Sequence, residues 1–74
     1  MAKLRILSGR EVCGILAQQG YKEIRQRGSH IIMQKKTEDS TITIPVPDHK
    51  EIRTATLMSV IRQSRLERTI FETD

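Results

Sequence analysis

Tyr21-Lys22-Glu23-Ile24-Arg25-Gln26-Arg27-Gly28-Ser29-His30-Ile31-Ile32-Met33-Gln34-Lys35 is the stretch whose reading decides the fold. From Tyr21 to Gln26 polar and apolar residues roughly alternate, and the branched Ile24 favours an extended chain over a helix, which makes this a first strand. Gly28 and Ser29 form a turn. His30 to Lys35 then form a second strand, with Ile31 and Met33 on one face and His30, Ile32 and Gln34 on the other. With Ile31 and Met33 turned to the core, His30 faces outward.

Upstream, Leu7-Ser8-Gly9-Arg10-Glu11-Val12 has the pattern of a helix start: the Ser8 hydroxyl caps the Glu11 amide, Glu11 reaches back, and Leu7 staples onto Val12. Val12, Ile15 and Leu16, with Cys13 beside them, recur at helical spacing as one apolar stripe, while Gln18 and Gln19 face water. Gly20 stops the helix in a left-handed conformation and lets Tyr21 fold back on Leu16.

Downstream, Lys36-Thr37-Glu38-Asp39-Ser40 is a polar loop, and Thr41-Ile42-Thr43-Ile44-Pro45-Val46 alternates strictly as a third strand. Pro45 has no amide donor and belongs near that strand's end or at a sheet edge. Pro47-Asp48-His49 leads to a second helix that starts near Thr54 or Thr56, with Leu57, Val60 and Ile61 as its stripe. Beyond Ser64 the chain either continues the helix or leaves it, and Ile70 and Phe71 are free to pack on the core. The order predicts an α+β fold, a two-layer α-β-β-β-α sandwich with both helices on one face of a three-stranded antiparallel sheet.

A chain of 74 residues builds one domain, here residues 1–74, with a small core. The 36% hydrophobic and 30% charged fractions suit a soluble fold with no disordered half. Cys13 is the only cysteine, so no internal disulfide and no zinc-binding cluster is expected, and a reducing cytoplasm fits best. The amino-terminal residues are too short and too cationic for a signal peptide, and no stretch approaches a membrane span. Thirteen Lys and Arg against nine acids leave +4, and because Glu72 and Asp74 are two of the nine, thirteen against seven leave +6 over residues 1–71. Such a surplus attracts polyanions, nucleic acid above all, although it also serves simple solubility.

Histidine is the side-chain type that exchanges a proton near neutral pH, and the chain has two, His30 and His49. A lone histidine is more often a locally bonded strand residue than a catalyst, yet His30 follows a glycine turn, a hydroxyl and the cations Arg25 and Arg27. RNA cleavage needs a proton taken from the ribose 2′-hydroxyl, a proton given to the leaving 5′-oxygen, and compensation of the phosphorane charge. Histidine suits either transfer and arginine suits the charge. Gly28 allows close approach of the backbone to a phosphate and Ser29 offers donors, although a plain hairpin turn explains both. His49 fits a loop-orienting role better than a second proton transfer.

Lys35 and Lys36 are a further basic pair, and Arg62, Arg65 and Arg68 would share one side of a continued helix. With one Tyr and one Phe there is no stacking platform for bases, so RNA contacts should fall on backbone and shape. No metalloprotease, paired-carboxylate or nucleotide-loop motif is present, and no metal or small-molecule cofactor is expected.

Gly20-Tyr21, the run Arg25 to His30, the run Ile44-Pro45-Val46-Pro47-Asp48-His49-Lys50-Glu51-Ile52, then Thr56-Leu57 and Ile61-Arg62-Gln63, taken in this order, resemble the HicA toxin family. The resemblance covers nearly the whole chain. It implies a double-stranded-RNA-binding-domain-like fold, messenger RNA as substrate, endonuclease (mRNA interferase) activity with His30 as catalytic residue, and a HicB-like antitoxin partner that covers the active face. Arg25, Arg27, Gly28, Ser29, Lys35 and Lys36 are then the candidate RNA-binding residues. Ala55 and Arg65 stand where the family usually has glycine, which bears on the limits of the last helix. A non-catalytic RNA-binding module of the same fold is the alternative, and a protein-interaction domain without RNA contact is a third reading.

Overall fold

A computed structural model describes residues 3–73. In chain order the elements are strand β1 (Lys3–Leu4), helix α1 (Gly9–Gln18), strands β2 (Lys22–Arg27), β3 (His30–Lys36) and β4 (Thr41–Pro47), helix α2 (Thr54–Ser64), a 3₁₀ turn (Arg68–Phe71) and strand β5 (Glu72–Thr73). The expected α-β-β-β-α order is present, and each of the three main strands ends one residue later than its sequence pattern suggested.

Helix α1 begins with the expected reciprocal cap. Ser8 Oγ accepts from the Glu11 amide at 3.1 Å and a Glu11 carboxylate oxygen accepts from the Ser8 amide at 2.8 Å. Those bonds, the backbone one first, hold the Glu11 carboxyl below its ordinary pKa. The helix closes with the Gly20 amide on Ala17 O and the Tyr21 amide on Leu16 O, the two bonds of a Schellman ending. Tyr21 lies just outside β2 as a core residue, 2% exposed, with its hydroxyl donating to Ser64 O at 3.0 Å.

Strands β2, β3 and β4 form an antiparallel meander in that order. Ile31 and Met33 of β3 and Ile44 and Val46 of β4 are buried in one cluster with Val12, Cys13 and Leu16 of α1 and Leu57, Val60 and Ile61 of α2. Both helices therefore cover the same face of the sheet, and the other face is open to water. Burial raises the Cys13 thiol pKa to about 11, so it is a core thiol at neutral pH.

The free edges of this sheet differ. β4 carries Pro45 and Pro47 at its edge. In β2 the register shifts between Glu23 and Arg25, a bulge at Ile24.

Helix α2 starts at Thr54, with Arg53 in the capping position and no side-chain cap bond. It ends at Ser64 because Arg65 adopts the left-handed conformation, φ 61° and ψ 18°. This corrects the continued helix: Arg62 lies on α2, Arg65 in the turn and Arg68 in the 3₁₀ segment, so the three do not form one helical stripe. Phe71 is fully buried, and β5 pairs antiparallel with β1, Lys3 opposite Thr73 and Leu4 opposite Glu72. No helix among the described residues is long and apolar enough to cross a membrane.

Candidate active site at the β2–β3 hairpin

Gly28 and Ser29 are the two turn residues between β2 and β3, and Arg27 pairs with His30. Gly28 has φ +58° and, among the described residues, Arg65 alone of the non-glycine residues has positive φ, so glycine holds the first turn position and Ser29 keeps an ordinary backbone. That is the sign pattern of a two-residue hairpin turn with glycine first, which matches the twist of the strands. His30 is exposed at the first position of β3, opposite Pro47 of β4, and Ile31 beside it is fully buried. Alternation therefore turns the imidazole to the open face, as the pattern predicted.

Register places Arg27 opposite His30 and Arg25 opposite Ile32, so both arginines share the open face with the imidazole. Both are exposed, and neither takes part in an ion pair among the described residues. The helix-side face of the same hairpin is tied down. Gln26 Nε2 donates to Gly28 O at 3.2 Å and to an Asp48 carboxylate oxygen at 3.1 Å, while its Oε1 accepts from an Arg10 guanidinium nitrogen at 3.0 Å. Arg10 also lies 3.5 Å from Asp48 and 3.4 Å from Glu23. The Asp48 amide donates to Ser29 O at 2.6 Å, and the Gly9 amide donates to His49 O at 2.8 Å.

Gly9 is pressed onto the end of β4, where a Cβ would collide with the Pro47 carbonyl. The start of α1, the end of β4 and the turn below His30 thus form one knot. His49 contributes its backbone carbonyl to it, and its side chain is exposed.

The candidate RNA-binding residues do not all meet. Arg25, Arg27, Gly28 and Ser29 surround His30, whereas Lys35 and Lys36 lie at the other end of β3, about 20 Å away at the usual strand rise. Arg10, Gln26 and Asp48 were not singled out by the sequence pattern as parts of the site. Gln26 has the parity of a core-facing position and a polar side chain, which is the one local sign of its role.

The open sheet face of this two-layer α+β sandwich thus carries a histidine and two arginines that take part in no ion pair among the described residues. The chain matches the family described as the HicA toxin of bacterial toxin-antitoxin over residues 9–66, from the start of α1 to just past the end of α2. The chain belongs to the HicA toxin family and is a toxin of a toxin-antitoxin pair, which implies a cognate antitoxin as partner. No curated protein and no solved structure matches it.

Proposed function

We propose that this protein is an endoribonuclease acting on messenger RNA in the cytoplasm, with His30 as the catalytic residue and a HicB-like antitoxin as the partner that covers its face. The observation that carries the reading is the exposed His30 imidazole at the head of β3, sharing the open face with Arg25 and Arg27. Membership of a toxin family supports it.

In this reading an RNA backbone lies across the hairpin. His30 moves the proton of the attacking 2′-hydroxyl or of the leaving 5′-oxygen, as base or acid. Arg25 and Arg27 compensate the extra charge of the phosphorane. Gly28 presents no side chain, so a phosphate can approach the turn, and the Ser29 hydroxyl is a donor within its reach. The knot of Arg10, Gln26 and Asp48 keeps the turn fixed beneath the reacting groups.

Incubating purified protein with RNA and resolving the products on a gel tests this. The wild type should cut, and His30→Ala should cut about 10²–10⁴-fold more slowly while keeping its fold. Equal cleavage by the two proteins would remove His30 from the mechanism. RNA that is retained at low salt but left intact by the wild type would establish the non-catalytic binding module instead.

A further inference from the structure

A cleft of about 410 Å³ opens at the far end of the sheet from His30, lined by Gly20, Lys22, Ile24, Gln34, Lys35 and Lys36. Three of its six residues are lysines and none is acidic. Among the described residues none of the three takes part in an ion pair. Three cations lining one cleft with no ion-pair partner make it favourable to an anion.

The cleft is also built rather than incidental. Lys22 stands opposite Gln34 in the β2–β3 register, and Lys36 shares their face by alternation. The Gln34 amide nitrogen is held by Thr43 Oγ1 at 3.2 Å. Lys35 has the opposite parity, yet it is half-buried and anchored: its Nζ lies 5.7 Å from the centre of the Tyr21 ring. Its side chain crosses Gly20, where a Cβ would stand 3.3 Å from the Lys35 Cε. The bulge carries Ile24, 46% exposed, into the lining.

We propose that Lys22, Lys35 and Lys36 form a second, phosphate-binding subsite for the RNA backbone, about 20 Å along β3 from His30. It rests on the reading that the protein binds RNA, and it does not require that His30 cut it. The lack of aromatic platforms and the surplus of ammonium groups select backbone over bases, so the subsite measures the length of an RNA rather than its sequence. One strand held at both ends would cross the open face over Ile32 and Gln34.

The test uses His30→Ala protein, which keeps substrate intact, and labelled RNA of two lengths, one able to span about 20 Å and one only a dinucleotide. For the longer RNA, Lys22→Gln/Lys35→Gln/Lys36→Gln should weaken binding at least tenfold and flatten the plot of log affinity against log salt by about 0.7 per lysine, roughly 2 in all. The dinucleotide should lose little. Lys22→Gln/Lys36→Gln leaves the Tyr21 contact in place and should give about two-thirds of the change, and Lys3→Gln, in β1, should leave the slope unchanged. An unaltered slope and affinity in the triple variant would overturn the subsite, even if the wild type cuts RNA. The expected loss, found with a wild type that binds and does not cut, would uphold the subsite and reject the nuclease reading. Loss of binding to an acidic partner protein with RNA affinity intact would also overturn it.

Discussion

Gln26 shows how one side chain can join three parts of the chain. Its amide donates to the turn carbonyl of Gly28 and to Asp48 and accepts from Arg10. Because Gln26 is exposed, Gln26→Ala should change stability by no more than about 1 kcal/mol. In the proposed nuclease it should still slow cleavage by about 10- to 100-fold, since small misplacements of a catalytic group are expensive. The Asp48 amide, which donates to Ser29 O, should exchange its hydrogen faster in the variant. Wild-type exchange together with wild-type cleavage would exclude a positioning role.

At this scale little was legible beforehand. Two of the three partners of Gln26, Arg10 and Asp48, lie 16 and 22 residues away, and no local pattern announces a bond across that separation. His30 was visible as an exposed strand histidine, but its reading as a catalyst came from resemblance to the family and not from its spacing.

Elements were read more fully, because their causes are local. The Ser8 to Glu11 cap, the Gly20 stop and the Gly28-Ser29 turn are each written within a few residues, and each is present. The end of α2 was not legible for a physical reason: Arg65 adopts a conformation that sequence patterns assign to glycine or asparagine. Holding a side chain with a Cβ at positive φ costs about 1 kcal/mol. Arg65→Gly should therefore stabilise the protein by up to that amount and raise its melting temperature by about 4–8 °C, measured by thermal unfolding. A lower melting temperature would show that the Arg65 side chain contributes more than its backbone strain removes.

The whole molecule is closed by two terminal strands that no pattern foretold, next to Phe71, whose packing on the core was one of the open expectations. Two-residue strands carry no detectable period, and the β1–β5 pairing joins positions about seventy residues apart. Phe71 fills the core beside this pairing although it lies outside residues 9–66, the span shared with the family. A protein of this size has roughly 4–11 kcal/mol of stability. Phe71→Ala should remove about 3–5 kcal/mol of it, enough to leave a large fraction unfolded at 37 °C, as urea titration would report. A loss below 1 kcal/mol would mean that the family-matched segment folds without its flanks.

The margins of the central sheet bear on how such a molecule behaves when many copies are made at once. On β4, Pro45 and Pro47 stand two residues apart and so aim their nitrogens the same way, outward on an edge strand that keeps its ladder to β3. On β2, the charged Lys22, Glu23, Arg25 and Arg27 and the bulge at Ile24 break the straight template that an incoming strand needs. Neither border can propagate a cross-β stack, so concentrated protein should stay dispersed and not grow into fibres.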